Sequence, residues 1–193
     1  MTDAPEKPAK TGPLPGDLGP EAMTERMLRV DHAGEYGAVR IYQGQLAVLG
    51  KSDKAPMLHH MLEQEEEHLA TFNKLVAERR VRPTALLPIW HVAGFALGAG
   101  TALLGEKAAM ACTVAVEEVI NEHYADQVAN LDARDADTKE PDLRNTFETF
   151  RLEELEHRET ALENDAEQAP GYEVLTGAIK TASRFAIWLS ERV

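Results

Sequence analysis

The sequence predicts an all-α protein: a four-helix bundle accompanied by additional apolar, membrane-associating helices. Three observations predict it. The pattern Glu … Glu-x-x-His occurs twice, as Glu35 … Glu65-Glu66-Glu67-His68 and as Glu117 … Glu154-Leu155-Glu156-His157. The copies keep nearly the same spacing, with 82 residues from Glu35 to Glu117 and 89 from Glu65 to Glu154, as a duplicated helix pair with a longer connection in its second copy would give. A composition of 27% charged and 6% aromatic residues also suits amphipathic helices better than the strands of a sandwich or barrel.

The chemistry of the repeat follows from helical geometry. Residues three apart are separated by about 4.5 Å along the axis and roughly 60° around it, so a carboxylate and an imidazole reach one point. Four such helices packed antiparallel deliver four carboxylates and two imidazoles into one bundle core: Glu35, Glu65, His68, Glu117, Glu154 and His157. This is the ligand inventory of the ferritin-like di-iron and di-manganese carboxylate proteins. A single Glu-x-x-His reads as a salt link on an acidic helix. Two copies, each preceded by a lone Glu in an apolar helical stretch, read as metal ligands.

The 193 residues are read as a Pro-rich disordered tail over 1–22 and one domain over 23–193. Within the domain, two helix-pair repeats occupy 23–80 and 106–168, and apolar segments occupy 83–105 and 171–191. The first twenty residues hold five of the ten prolines, without the apolar core of a secretory signal or the Arg-rich, acid-poor character of a transit peptide. The net charge of −13 excludes nucleic acid as a partner and leaves apolar contact as the means of meeting a membrane. Some of that acidity has a chemical use, because four buried glutamates are neutralised by two divalent cations. The single cysteine, Cys112, excludes an intrachain disulfide and reads as a core thiol.

The first helix is predicted from Thr24 to a stop at Gly50, with Glu35 in its middle and Tyr42 two turns on. Asp31 is expected to orient a ligating imidazole and His32 to cap or fill the core. The second helix tolerates Pro56 in its first turn and ends before Val81-Arg82-Pro83. In its acidic run the frame set by His68 singles out Glu65, and His59 and His60 are left on the surface. Residues 83–105 carry no formal charge. They read as a segment lying against one leaflet with Trp90 at the interface. Soluble packing or a dimer contact through Gly94-x-x-x-Gly98, and a true span, stand as alternatives. On the third bundle helix Glu117 shares its face with Thr113, Val114, Ile120 and Tyr124, whereas Glu118 aligns with Glu122 and Asp126 and is the solvated one. Tyr124 follows Glu117 by seven residues as Tyr42 follows Glu35, which puts both tyrosines on the metal face. His123 is rotated by about 120° from Glu117, so His123 and Tyr124 are assigned a relay role outside the ligand set. A polar loop over 131–141 precedes the fourth helix, Asp142 to about Gln168. A last apolar helix follows Ala169-Pro170-Gly171.

Three runs carry a family resemblance: Arg29-Val30-Asp31-His32-Ala33-Gly34-Glu35-Tyr36-Gly37-Ala38, Ala111-Cys112-Thr113-Val114-Ala115-Val116-Glu117-Glu118, and Phe150 to His157. Together they resemble the di-iron demethoxyubiquinone hydroxylases of ubiquinone biosynthesis, over nearly everything after the tail, and without a presequence they fit a bacterial member. In that family the ligands fall on residues matching the same six. The resemblance implies an O2-dependent monooxygenase acting on the ring of a polyprenyl demethoxyubiquinol. It implies two Fe ions bridged by Glu65 and Glu154, with Glu35 and Glu117 as terminal carboxylates and electrons from NADH or the quinol itself. No Gly-rich dinucleotide fingerprint is present. The expected setting is peripheral, on the cytoplasmic face of the inner membrane, with a second copy or other ubiquinone-synthesis proteins as partners. Two rival readings of the ligand set are a ferritin-like iron-storage protein and a non-catalytic lipid-binding scaffold of a quinone-synthesis complex.

Overall fold

In the computed structural model, which describes residues 16–193, six α-helices carry the chain: α1 (Pro20–Leu49), α2 (Ala55–Glu78), α3 (Leu87–Leu103), α4 (Glu106–Asp132), α5 (Pro141–Glu163) and α6 (Tyr172–Ser190). Short 3-10 turns at 136–138 and 166–168 complete the elements, and no strand occurs among the described residues. The expected tail falls largely on residues 1–15, outside the described residues. Within them α1 begins at Pro20, four residues before the expected Thr24. The reason is local. Proline's fixed φ suits the first helical turn, and Glu21 beside it complements the positive end of the helix. Thr24 is freed from capping and donates instead to Glu140 Oε1 at 2.8 Å, tying α1 to the start of α5. Prolines likewise open α2, α3 and α5.

The bundle proper is α1, α2, α4 and α5. Tyr42 meets Glu117 and Tyr124 meets Glu35, so α1 and α4 run antiparallel. His68 meets Glu153 and His157 meets Gln64, so α2 and α5 do the same. Two apolar plugs fill the bundle along its axis. One gathers Met27, Leu28, Phe72, Tyr124 and Phe147; the other gathers Tyr42, Leu58, Met61, Met110 and Val114. The glutamates and imidazoles lie in the layer between them, sealed from water at both ends.

The two remaining helices cover α1 and α4. Helix α3 runs parallel to α1, and the glycine pair of Gly94-x-x-x-Gly98 is what lets it approach. A Cβ on Gly98 would stand 1.9 Å from the Ile41 carbonyl oxygen, and one on Gly94 would stand 2.8 Å from that of Gly37. The motif therefore closes a contact within the chain rather than the dimer contact offered as an alternative. Helix α6 runs parallel to α4, pinned by Lys180 to Glu118 and by Arg184 to Glu122. Glu118, expected to be solvated, does lie outside the carboxylate layer but is only partly exposed and pairs with Lys180 and Arg158.

No helix among the described residues is long and apolar enough to cross a membrane, which removes the spanning alternative for residues 83–105. Helix α3 has 17 residues, roughly 25 Å at 1.5 Å each, against a hydrocarbon core of about 30 Å. Trp90, expected at a membrane interface, also has a partner within the chain. It is half-buried, and its indole N–H donates to Ser190 Oγ at 3.1 Å, joining α3 to α6.

Candidate metal centre

Each bundle helix contributes to one buried layer: α1 sends Glu35, α2 sends Glu65 and His68, α4 sends Glu117, and α5 sends Glu154 and His157. All six are at most 3% exposed. The i,i+3 spacing places each imidazole beside its own glutamate and, across the bundle, beside the other copy's. His68 Nδ1 lies 3.3 Å from Glu154 Oε1 and 3.4 Å from Glu35 Oε2. His157 Nδ1 lies 3.2 Å from Glu65 Oε1 and 3.4 Å from Glu154 Oε2.

The six residues form two overlapping groups, Glu35, Glu65, His68 and Glu154, and Glu65, Glu117, Glu154 and His157, with ligand atoms within 4.8 Å of one another in each. Glu65 and Glu154 belong to both. The lone pairs at the centre have no protein partner: both oxygens of Glu65, Glu117 Oε2, Glu154 Oε2, and Nδ1 of His68 and of His157 are buried without a hydrogen bond. A buried polar atom left unpaired costs roughly 1–3 kcal/mol, and a buried charge more. Six such atoms converging on one spot are what a pair of cations would satisfy, so the residues fit a two-metal centre.

The electrostatics without metal make the same point. Burial, reinforced by the charges of Glu154 and its neighbours, pushes the Glu65 and Glu117 carboxyls well above the usual range. Burial also opposes charge on Glu154, but the His157 and His68 imidazoles outweigh it and hold that carboxyl down to about 2. Burial opposes a protonated His68, and Glu154 with Glu35 outweighs it, lifting the imidazole to about 12. Without cations the site thus holds itself together with protons. Burial and the nearby glutamates push both Tyr42 and Tyr124 upward, so the two phenols stay neutral donors.

Those tyrosines were expected on the metal face two turns from the glutamates of their own helices. They act across the bundle. Tyr42 donates to Glu117 Oε1 at 2.8 Å, and Tyr124 donates to Glu35 Oε1. His123 lies outside the cluster, with Nε2 at 3.1 Å from Asp31 Oδ1, while Gln127 Nε2 donates to the same oxygen at 2.7 Å. Asp31 consequently pairs with His123 and Gln127, not with a cluster imidazole as expected. Burial keeps its carboxyl above the ordinary value against both partners. His32 is buried with Nε2 3.0 Å from Asn73 Oδ1, the core role expected of it. His59 and His60 are exposed. Cys112 is fully buried, and burial pushes its thiol to about 12, so it is an inert core group.

Sequence reasoning missed the groups that hold the two imidazoles from behind. His68 Nε2–H donates to Glu153 Oε2 at 2.6 Å, and His157 Nε2–H donates to Gln64 Oε1 at 3.1 Å. A signal for them was present. Each partner immediately precedes the glutamate of a Glu-x-x-His copy, and antiparallel packing turns it toward the other copy's histidine.

An apolar cavity of about 190 Å³ opens beside this layer between α1, α3, α4 and α6. Gly34 and Val116, the sequence neighbours of Glu35 and Glu117, line it together with Ile41, Trp90, Leu97 and Ile187. Outside the cavity, α3 and α6 expose large apolar side chains, Ile89 and Val92 on one and Val174, Phe185 and Trp188 on the other.

An all-helical bundle with a buried carboxylate and imidazole cluster compatible with a metal pair defines the class of this protein. The family model described as ubiquinone biosynthesis protein COQ7 matches residues 22–190, and the chain belongs to that family. It is 64% identical over 181 residues to the 3-demethoxyubiquinol 3-hydroxylase of Rhodospirillum rubrum, covering 93% of this chain and 83% of that one. It is 54% identical over 172 residues to the human mitochondrial NADPH-dependent 3-demethoxyubiquinone 3-hydroxylase, covering 89% of this chain and 79% of that one. With the mitochondrial 5-demethoxyubiquinone hydroxylase of Saccharomyces cerevisiae the identity is 47% over 184 residues, covering 89% and 79%. The resemblance carried by the Glu35, Glu117 and Glu154 runs is thereby borne out.

Proposed function

We propose that this protein is an O2-dependent monooxygenase that hydroxylates the ring of a polyprenyl demethoxyubiquinol at a two-iron centre held by Glu35, Glu65, His68, Glu117, Glu154 and His157. The observation that carries this reading is the convergence of six unpaired, buried ligand atoms in a chain 64% identical to a 3-demethoxyubiquinol 3-hydroxylase. When bound, the two irons supply the activation and reduction of O2. Glu65 and Glu154, which belong to both ligand groups, would help hold both ions, while Glu35 and Glu117 would each help hold one. The apolar plugs on either side keep water from the site, which strengthens every electrostatic contact inside it.

The remaining residues bind substrate and handle protons. The apolar cavity between α1, α3, α4 and α6 takes the quinol and the start of its isoprenoid tail, bringing the ring against the α1 and α4 side of the cluster. Tyr124 holds its proton on Glu35, and His123, 19% exposed on its side chain, meets Asp31 one turn before Glu35. That arrangement gives protons a route from the surface toward Glu35, the relay role of His123 and Tyr124. Electrons come from a reduced nicotinamide, which the names of several relatives specify as NADPH, or from the quinol itself.

Because a polyprenyl quinol stays in the bilayer, the exposed apolar residues of α3 and α6 rest on one leaflet. Phe185 and Trp188, stacked with centroids 5.8 Å apart, are the strongest such contact. Replacing both with Ser is expected to reduce binding to phospholipid vesicles and to lower activity on a long-tailed quinol more than on a short-tailed one. Equal loss on both substrates would place those residues in the fold.

The hydroxylation itself is tested by loading the metal-free protein anaerobically with ferrous iron, then adding demethoxyubiquinol and 18O2. One 18O atom is expected in the new ring hydroxyl. Iron uptake far above two ions per chain without product would favour storage, and product that forms equally in a Glu117→Ala variant would leave the cluster without a catalytic part.

A further inference from the structure

The duplicated ligand set is symmetric, but the groups behind the two imidazoles are not. Glu153 and Gln64 occupy the same position in the repeat, one residue before the glutamate of each Glu-x-x-His. Glu153 accepts from His68 Nε2–H at 2.6 Å, and Gln64 accepts from His157 Nε2–H at 3.1 Å. Both contacts hold the Nε2 proton and turn Nδ1 toward the cluster, so Nδ1 is the nitrogen that would meet a cation. Only one of them carries a charge.

We propose that Glu153 and Gln64 are positioning residues that make the two halves of the centre unequal, the carboxylate behind His68 giving the Glu35/His68 half the tighter metal site and the neutral amide behind His157 leaving the Glu117/His157 half the looser one. The inference rests on the two-metal reading of the cluster and deepens it. A carboxylate accepting the distal N–H of an imidazole draws that proton toward itself and raises the electron density on the other nitrogen, so the imidazole becomes the better donor to a cation. An amide oxygen orients the ring in the same way but polarises it less. The shorter contact at His68 agrees with a charge-assisted hydrogen bond. The carboxylate of Glu153 also adds one negative charge near its half, although its side chain is 34% exposed and water screens part of that. The other hydrogen bonds to the cluster do not separate the halves, since each terminal glutamate receives one phenol, Tyr124 on Glu35 and Tyr42 on Glu117. The difference between a carboxylate and an amide is thus the chief asymmetry in the hydrogen bonds reaching the six residues.

The test is a cobalt(II) titration of the metal-free full chain, followed by calorimetry and visible absorption, in the wild type and in exchanged variants. The wild type is expected to bind two ions in two steps. Glu153→Gln keeps an acceptor behind His68 and removes its charge, and is expected to weaken only the tighter step, by about 10-fold. Gln64→Glu is expected to tighten only the weaker step by a similar factor, and being a gain it is independent of any loss of fold in the first variant. In the double exchange the order of filling should reverse. His157→Ala, which spares the tight step in the wild-type background, should abolish it in the exchanged one, and His68→Ala should do the opposite. A merely structural role for Glu153 would not move occupancy from one half to the other. Two ions bound with both steps weakened equally by Glu153→Gln, or a tight step that survives His68→Ala in the wild type, would overturn the inference alone. A wild-type chain that takes up no cobalt would overturn the two-metal reading and this inference with it.

Discussion

The first helix pair, α1 and α2, and the second, α4 and α5, carry the same carboxylate and imidazole pattern and sit in different surroundings. Each offers one carboxylate from its first helix and a carboxylate with an imidazole from its second. Each also sends a phenol across to the other's glutamate. Yet α1 presents the acid Asp31 one turn before Glu35, paired with His123 and Gln127 of α4, whereas the position one turn before Glu117 is Thr113, which receives a hydrogen bond from Gln45 at 3.3 Å. The connection within the first pair is short, residues 50–54, and that within the second spans 133–140 with a 3-10 turn. The two pairs thus agree in the residues that reach the buried carboxylate and imidazole layer and differ in those that stand behind it. The repeated residues form the buried layer, and the unrepeated ones, Asp31 with His123 and Gln127, give its two sides different hydrogen bonds.

The largest effect expected separates residues shared by both ligand groups from those in one. Glu65→Ala or Glu154→Ala removes a carboxylate common to both groups, leaves other buried charges uncompensated, and is expected to lower metal content from two ions to none. Glu117→Ala touches one group only and is expected to leave about one ion per chain. Metal counting by atomic emission on dialysed protein reads the difference, and two ions retained in Glu154→Ala would break the assignment of Glu154 as shared.

A second effect concerns protons. His68 is held protonated up to about 12 in the metal-free protein because Glu154 and Glu35 outweigh the burial that opposes its charge. A cation must displace that proton from Nδ1, so metal affinity is expected to rise with pH throughout the range below about 12 and to fall on acidification. For the metal-free fold the sign is reversed. A raised imidazole stabilises fully below its ordinary 6.5, and the contribution is lost as pH climbs through about 12. Calorimetry in buffers of different ionisation enthalpy counts the protons released on metal uptake, and release of none would contradict this picture.

Smaller changes are expected from the crossed phenols. Tyr124→Phe and Tyr42→Phe remove one donor each and leave the six ligands in place, so both variants should keep two metals. Tyr124→Phe should slow turnover by roughly 10-fold and Tyr42→Phe by less, because Tyr124 alone adjoins the Asp31 and His123 route. Equal slowing would mean that both phenols serve only to position their glutamates. Loss of metal in either would make that tyrosine part of the site's framework.

Much of this was legible in the chain. Glu35, Glu65, His68, Glu117, Glu154 and His157 were selected by a period that three-residue helical spacing makes meaningful, and the structure brings all six into one layer. Tyr42 and Tyr124 were visible as a repeated seven-residue offset. What spacing cannot give is the partner across the bundle. Asp31 was assigned to an imidazole because it lies near Glu35 along α1, but antiparallel packing sets His123 and Gln127 of α4 against it instead. Glu153 carries no spacing signal of its own beside Glu154, and only the proximity of α5 to α2 picks it out. Gly94-x-x-x-Gly98 announced a close helix contact without saying to what, because a pair of small residues fits a neighbour in the same chain as well as one in another.

The proposed hydroxylation requires two metal ions, held by these six residues, acting together. It is tested most directly by titrating the metal-free protein with ferrous iron and measuring, at each point, iron bound and hydroxylated quinol formed in a single turnover. Product is expected to stay near zero until chains hold their second iron and to level off at two irons per chain. Full product at one iron per chain, or continued uptake far beyond two with no product, would contradict it.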